Sequence, residues 1–331
     1  MIMHALILGA LSHLGTNFIL SHGHKYKITA LDRDSYCSQS KDLINPHVDK
    51  LIICDITNAN IVSIVVWNEI DVIFNFAAST HVDRSYMKPN EFIHDNITAV
   101  EHIMNSLVEL KKMHCMPYTI HLSTDEVYGD DYATPRSESD RMNPTNVYSA
   151  TKSSGDMIIN SYIKSFGVNC LVLRPNNLAG LYQYPDKILP LFIKKIMSND
   201  TIQVHGTGMQ TRCFVSTEFV CDIINHLALV KPESQFLNIG YNCQVGLSVL
   251  DIIELISAMT KKTANVVYTE DRPYNDTHYS IDNSRLASVI QDEKILMGLN
   301  ETSVDAVKQM IDHTLFSQRT YLSRPGQLPP V

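Results

Sequence analysis

Short apolar runs alternate with amphipathic stretches through the first half of the chain. Runs rich in Val, Ile and Leu at His4–Leu8, Lys27–Leu31, Lys50–Cys54, Val72–Phe76, Tyr118–Leu122 and Asn169–Leu173 read as strands. Between them, helical spacing is clearest over Gly15–Ser21, Asn90–Lys111 and Tyr148–Phe166. The strands are apolar along their length rather than at every second position, which requires burial on both faces. This alternation predicts an α/β fold, a parallel sheet covered on each side by helices.

After Arg174 the alternation loosens. The pattern predicts helices over Leu189–Met197, Thr217–Leu229, Ser248–Met259 and Ser303–Thr314, and strands at Ile202–His205, Phe236–Ile239 and Val266–Thr269, with a loop over Glu270–Asp276. We expect a nucleotide-binding sheet domain over 1–176, with 213–240 returning to it. A smaller cap is expected from 177–212 and 241–315, and 316–331, with its three prolines, as a loosely held tail.

Composition narrows the class. Of 331 residues, 44% are hydrophobic and 19% charged, enough to fill a core and too few charges for disorder. The formal charge of −8, with no Lys/Arg cluster, argues against a nucleic-acid partner. No apolar run reaches the ~18 residues of a membrane span. The first strand starts almost at Met1, so a signal peptide is not expected. Seven scattered cysteines without a C-x-x-C pair fit reduced thiols in the cytoplasm, and no metal site is expected among the 14 His.

Two stretches carry chemistry. Gly9-Ala10-Leu11-Ser12-His13-Leu14-Gly15 follows the first strand and opens a helix, an arrangement that lets backbone approach a pyrophosphate at the helix N-terminus. Ser12 stands where the middle glycine of such a loop belongs and is expected to crowd it. Asp32, ending the second strand, suits the ribose hydroxyls of NAD and repels a 2′-phosphate; Arg33 beside it blurs that preference. Asp55 after the third strand either meets an adenine amino group or caps a helix. Tyr148 and Lys152 lie one turn apart on a helix, where a neighbouring Lys⁺ favours the phenolate. They follow Ser123-Thr124-Asp125-Glu126 at a strand end.

On these residues the chain resembles an extended short-chain dehydrogenase/reductase, within that group the nucleotide-sugar 4,6-dehydratases. The resemblance rests on Ala77-Ala78-Ser79-Thr80-His81-Val82-Asp83, on Ser123 to Gly129, and on Pro144 to Lys152. It continues through Tyr184 to Pro190, His205 to Arg212 and Asp271 to Asp276, spanning residues 1 to about 285. It implies a Rossmann-type doubly wound parallel sheet with a smaller α/β substrate-binding cap. It also implies NAD as cofactor, and dTDP-glucose or UDP-glucose as substrate. By position, Tyr148 deprotonates the 4-hydroxyl with Lys152 and Thr124 assisting, Glu126 takes the C5 proton, and Asp125 protonates the departing C6 hydroxyl. Gly9, Ser12, His13, Leu14, Gly15, Asp32, Asp55, Ile56, Ala77 and Ala78, with Tyr148 and Lys152, line the cofactor. Ser79, His81, Asp83, Asn177, Lys187, Arg212, Asn275 and Asp276 contact the substrate.

The same resemblance implies a homodimer through the helices Asn90–Lys111 and Tyr148–Phe166. Their apolar residues Ile93, Ile97, Val100, Ile103, Met104, Met157, Ile158 and Tyr162 exceed what one sheet face needs. Three departures stand out: Ser12, Cys213 after Arg212 where an Asp is usual, and a sole Trp, Trp67, far from the C terminus. A C5–H bond becomes acidic only once C4 is a ketone. A dehydratase therefore needs an acid and a base beyond the Tyr/Lys pair, which a 4-epimerase does without. Asp125-Glu126 favours the dehydratase over an epimerase, a decarboxylase, or a homologue too weak in cofactor to catalyse.

Overall fold

The computed structural model describes residues 2–130, 134–242, 246–271 and 276–322, with side chains to 316. Seven parallel strands form the main sheet: β1 (Met3–Leu8), β2 (Tyr26–Asp32), β3 (Lys50–Ile53), β4 (Val72–Asn75), β5 (Tyr118–Leu122), β6 (Cys170–Pro175) and β11 (Phe236–Ile239). Their order is β11-β6-β5-β4-β1-β2-β3, so the direction of winding reverses between β1 and β4. At such a switch point the carboxyl ends of neighbouring strands leave a crevice for ligands.

Successive side chains of a strand point to opposite faces. Ala5 and Ile7 of β1 therefore join one apolar cluster, and Leu6 and Leu8 the other, all fully buried. The first cluster stacks Phe18, Phe74 and Phe76 beneath the helices α1 (His13–His22) and Thr217–Val230. The second packs the helices Ala99–Lys112 and Val147–Phe166 through Val100, Ile103, Leu107 and Ile159. Each such side chain contributes about 1.5–3 kcal/mol on burial.

Three small two-stranded pairs complete the fold: β7 (Asn177–Ala179) with β10 (Phe214–Ser216), β9 (Thr211–Arg212) with β12 (Leu247–Ser248), and β8 (Thr201–His205) with β13 (Asn265–Thr269). Ile202 and Val204 of β8, with Ile193 and Ile256 from the helices Ile188–Ser198 and Val249–Thr260, belong to the same apolar cluster as Ile7 and Phe74. These segments thus share a core with one face of the sheet. No helix among the described residues is long and apolar enough to cross a membrane.

Several expectations are modified. The helix expected over Asn90–Lys111 is broken into Pro89–Ile93, a wide π turn His94–Thr98, and Ala99–Lys112. The turn lets Asn96 face the neighbouring helix, where Gly155 leaves room; a Cβ there would lie 2.9 Å from the Asn96 carbonyl. Helices Lys41–Ile44, Val82–Met87 and Glu293–Gly298 are too short to show a period and were not anticipated. The last helix runs Ser303–Leu322, past the expected start of the tail at 316; residues 323–331 lie outside the described residues. Of the apolar residues assigned to a dimer face, Val100, Ile103 and Met104 are buried in the chain's own core, because the sheet claims them first. Ile93 and Met157 are exposed, 45% and 54%.

Candidate active site

Gly9 leaves β1 with φ +78°, and a Cβ on it would lie 2.5 Å from the Ala77 backbone nitrogen. A Cβ on Gly15 would lie 2.3 Å from the Gly9 carbonyl, so both glycines are demanded by close backbone approach. Ser12 is different. Its φ of −71° suits any residue, and its Oγ accepts a 3.1 Å hydrogen bond from Gly15 N as the N-cap of α1. The expected crowding is thus offset by a capping bond. The first turn of α1 holds no acidic residue, leaving its positive end to an anion.

Ser12 and Gly9 line a crevice with Asp32, Ile56, Ala77 and Ala78, as expected of a dinucleotide site. The Asp32 carboxylate accepts from Leu11 N at 2.7 Å, and burial pushes its pKa up to about 6. Asp55 both caps a turn, accepting from Thr57 N at 2.9 Å, and faces this crevice. Ser79, expected on the substrate side, faces the crevice too. Its hydroxyl donates to Asp95 at 2.6 Å and its amide to Asn96 at 2.9 Å, which turns it away from the cap.

The crevice continues into a central cavity, with His13 and Leu14 on its wall. Thr124 ends the loop after β5, and a tight turn over Asp125–Tyr128 follows. The Thr124 hydroxyl accepts from Glu126 N at 3.3 Å and donates to Asp125 Oδ1 at 3.2 Å, and Thr124 favours the phenolate form of the neighbouring Tyr148. Asp125 is buried, and its Oδ2 accepts from Asn176 Nδ2 at 2.7 Å. Burial first, then the Glu126 charge, pushes its pKa up to about 7. Glu126 is half-buried and accepts from Asn146 Nδ2 at 3.3 Å; burial raises its pKa while Arg212 opposes the rise.

Asn146 caps the helix Val147–Phe166 through a reciprocal box with Ser149, which fixes where Tyr148 and Lys152 emerge. Lys152 Nζ donates to the Leu122 carbonyl at 2.7 Å, and burial brings its pKa down to about 8. The expectation that Lys152 holds the phenol down is not met by the protein's own groups. Burial dominates, and the Glu126 charge adds to it, so the Tyr148 pKa is raised.

Toward the cap, Thr80, Glu126, Asn177 and Lys187 line both the central cavity and a further one reaching His81, Asp83, Arg212 and Asp276. Lys187 Nζ donates to the Thr80 carbonyl at 2.9 Å. Arg212 donates to the Asp276 carbonyl at 2.8 Å, and its guanidinium stands 4.7 Å from the Tyr279 ring centre. Asp276 is buried and accepts from Thr145 at 2.6 Å and from Tyr279. His81 caps the helix Val82–Met87 and meets Asp186 at 3.3 Å. The Asn177 side-chain oxygen is buried without a hydrogen-bond partner and lies on the cavity wall. Asn275 lies outside the described residues. Sequence reasoning missed Asn176, Asn146 and Asp95. Asn146 was detectable as an N-cap three residues before Ser149, and Asn176 as a strand-end neighbour of Asn177.

Residues 5–240 match the model of the NAD dependent epimerase/dehydratase family. Over 285 residues the chain is 34% identical to a trifunctional UDP-glucose 4,6-dehydratase/3,5-epimerase/reductase of Arabidopsis thaliana, covering 83% of the chain but 42% of that protein. The chain thus spans about two fifths of the length of that relative. It is 32% identical over 292 residues to the dTDP-D-glucose 4,6-dehydratase of Bos taurus, covering 82% of the chain and 80% of the relative. In fold, it resembles a dTDP-glucose 4,6-dehydratase of Streptomyces venezuelae solved with NAD bound, at TM-score 0.80 and 22% identity over 94% of the chain and 96% of that structure. A UDP-glucuronic acid 4-epimerase of Bacillus cereus, also solved with NAD, is similar at TM-score 0.77 and 23% identity, over 93% of the chain and all of that structure. By the family match and these relatives, the chain belongs to the NAD dependent epimerase/dehydratase family.

Proposed function

We propose that this protein is a nucleotide-sugar 4,6-dehydratase. It converts dTDP-glucose or UDP-glucose to the 4-keto-6-deoxy sugar nucleotide and water. The observation that carries the reading is the Asp125-Glu126 pair, set beside Tyr148 and Lys152, with Asp125 pushed up to about 7 and so able to hold a proton near neutrality. An epimerase, the rival on this fold, has no use for that pair.

The residues fit NAD. Gly9 and Gly15 leave the backbone clear, the N-terminus of α1, with one amide capped by Ser12, would receive the pyrophosphate, and Asp32 would take the ribose hydroxyls. When bound, NAD supplies an acceptor for the sugar C4 hydrogen and returns it at C6. Burial alone keeps the Tyr148 phenol protonated; with NAD⁺ bound, the cofactor's positive charge and Lys152 would favour its phenolate, which would then accept the proton of the 4-hydroxyl. Glu126 then removes the C5 proton, made acidic by the C4 ketone, and gives a proton back to C5 when hydride returns to C6. Asp125, held by Asn176, gives its proton to the C6 oxygen, which leaves as water. Lys187, Arg212 and the unpartnered Asn177 amide oxygen serve the sugar nucleotide from the cap side.

We also propose the division into a sheet domain (1–176 with 213–240) and a cap (177–212 with 241–315). A homodimer is proposed through the exposed Ile93 and Met157, and a reducing cytoplasmic setting in keeping with the free thiols. The test is turnover with both sugar nucleotides, each deuterated at C4. Deuterium at C6 of a 4-keto-6-deoxy product is expected. A C4 epimer that keeps its 6-hydroxyl overturns the dehydratase in favour of the epimerase.

A further inference from the structure

The crevice beside β2 contains two guanidinium groups, and neither is free. Arg84 is bound to Glu91 Oε2 through Nε at 3.2 Å and Nη2 at 2.9 Å, and lies 3.9 Å over the Tyr36 ring. Arg33, the residue that follows Asp32, is held on two sides. Its Nη1 donates to Asp55 Oδ2 at 3.2 Å and its Nη2 to Asp95 Oδ2. Asp95 is itself fixed: Ser79 donates to the same oxygen at 2.6 Å, and His94 meets the other at 3.0 Å. The π turn His94–Thr98 brings Asp95 to this wall.

An arginine at this point of a dinucleotide fold is the group that accommodates a 2′-phosphate. Here both of its terminal nitrogens are engaged by carboxylates, which fixes where the guanidinium points. Asp32, Asp55, Asp95 and Glu91 outnumber Arg33 and Arg84 on the crevice wall, so a dianionic phosphate meets net negative charge. We propose that Asp95 sets which dinucleotide the crevice accepts, by holding the Arg33 guanidinium away from the position of a 2′-phosphate. The inference rests on the reading of the crevice as a dinucleotide site. It goes beyond that reading by assigning specificity to a residue outside the glycine loop and the strand-end carboxylate.

Asp95 is a positioning residue, and its role is read as a ratio of affinities. The full-length protein is titrated with NADH and with NADPH, following nucleotide fluorescence, which does not depend on turnover. Asp95→Asn keeps an acceptor for Ser79 while removing the charge that holds Arg33. The preference for NADH over NADPH is expected to fall by about tenfold or more, the worth of one charge-assisted hydrogen bond. Adding Arg33→Ala to that variant should return the preference toward wild type, and Asp95→Glu should keep it. Should Asp95→Asn not fold, Asp55→Asn frees the other side of the same guanidinium, with a smaller shift in the same direction. A merely structural Asp95 weakens both nucleotides together. A ratio unmoved by Asp95→Asn while NADH still binds, or a gain that survives Arg33→Ala, overturns the assignment alone. No binding of either nucleotide to wild type overturns the dinucleotide reading and this inference with it.

Discussion

The dinucleotide crevice and the cap-side cavity each adjoin the central cavity, yet they are built differently. The floor of the crevice is backbone, a glycine at positive φ, a helix end and strand ends at the switch point, and charged side chains rim it. Apart from Glu91, Asp95 and Ala99, its lining comes from the first 84 residues. The cap-side cavity is made of side chains drawn from far apart, with Lys187 reaching Thr80, Arg212 reaching Asp276, and Asp276 reaching Thr145. Added atoms should harm the first and removed atoms the second. Glu126 stands where the cap-side cavity meets the central cavity that leads on to the crevice.

The largest effect is expected at that meeting point. Glu126→Gln should slow elimination by about 10²–10⁴-fold, the usual loss for a positioned base. It should still oxidise C4, so reduced cofactor accumulates and is seen by its absorbance. Failure to accumulate it would place Glu126 in the first half-reaction and blur the division between the cavities.

Next come two variants that should act in opposite directions. Gly9→Ala puts a methyl 2.5 Å from the Ala77 nitrogen at φ +78°, and should abolish NADH binding while costing more than about 1 kcal/mol of stability. Arg212→Ala adds nothing and should leave NADH binding intact. It should weaken the nucleoside diphosphate by about 10–100-fold, as the loss of a charge-assisted contact implies. Calorimetric titration of each variant with each ligand checks both, and a variant that disturbs both ligands alike would break the comparison.

A pH effect should be more modest. Asp125 must be protonated to act, and its pKa stands at about 7. Elimination should therefore fall as the pH rises through that value. Because the Glu126 charge is the second cause of the rise, the residual rate of Glu126→Gln should lose activity at lower pH than wild type. A limb that stays in place would assign the acid elsewhere.

The smallest effect is expected at Ser12. Ser12→Gly removes the cap on α1 at a cost of a few tenths of a kcal/mol. It also frees Gly15 N for a phosphate oxygen, so NADH should bind a few-fold more tightly. Weaker binding would make the serine hydroxyl itself a ligand.

The contrast also explains what was legible beforehand. Backbone-built features write themselves into the sequence as glycine spacing and strand periodicity, so Gly9, Gly15 and all seven sheet strands could be read to within a few residues. Side-chain networks between distant segments leave no such trace. Nothing near Ser79 announces Asp95, because only the π turn brings residue 95 to its hydroxyl. That Arg33 is held by carboxylates is hidden for the same reason: its two partners are 22 and 62 residues away. The order of the Tyr148 influences was also hidden, since burial is a property of the closed fold and not of the Tyr-to-Lys spacing.

The position of β11 has a consequence for how the molecule is made. The sheet's outermost strand on the β6 side is encoded after β7, β8, β9 and β10, at Phe236–Ile239, and pairs with β6 from Val172 to Pro175. During synthesis, β6 therefore emerges as a bare edge and stays so for some sixty residues, about 3–12 s at ordinary elongation rates. Throughout that interval an apolar strand with unpaired amides is open to strands of other chains. A nascent chain halted after residue 176 should aggregate or recruit a chaperone, and one released after residue 240 should do so far less.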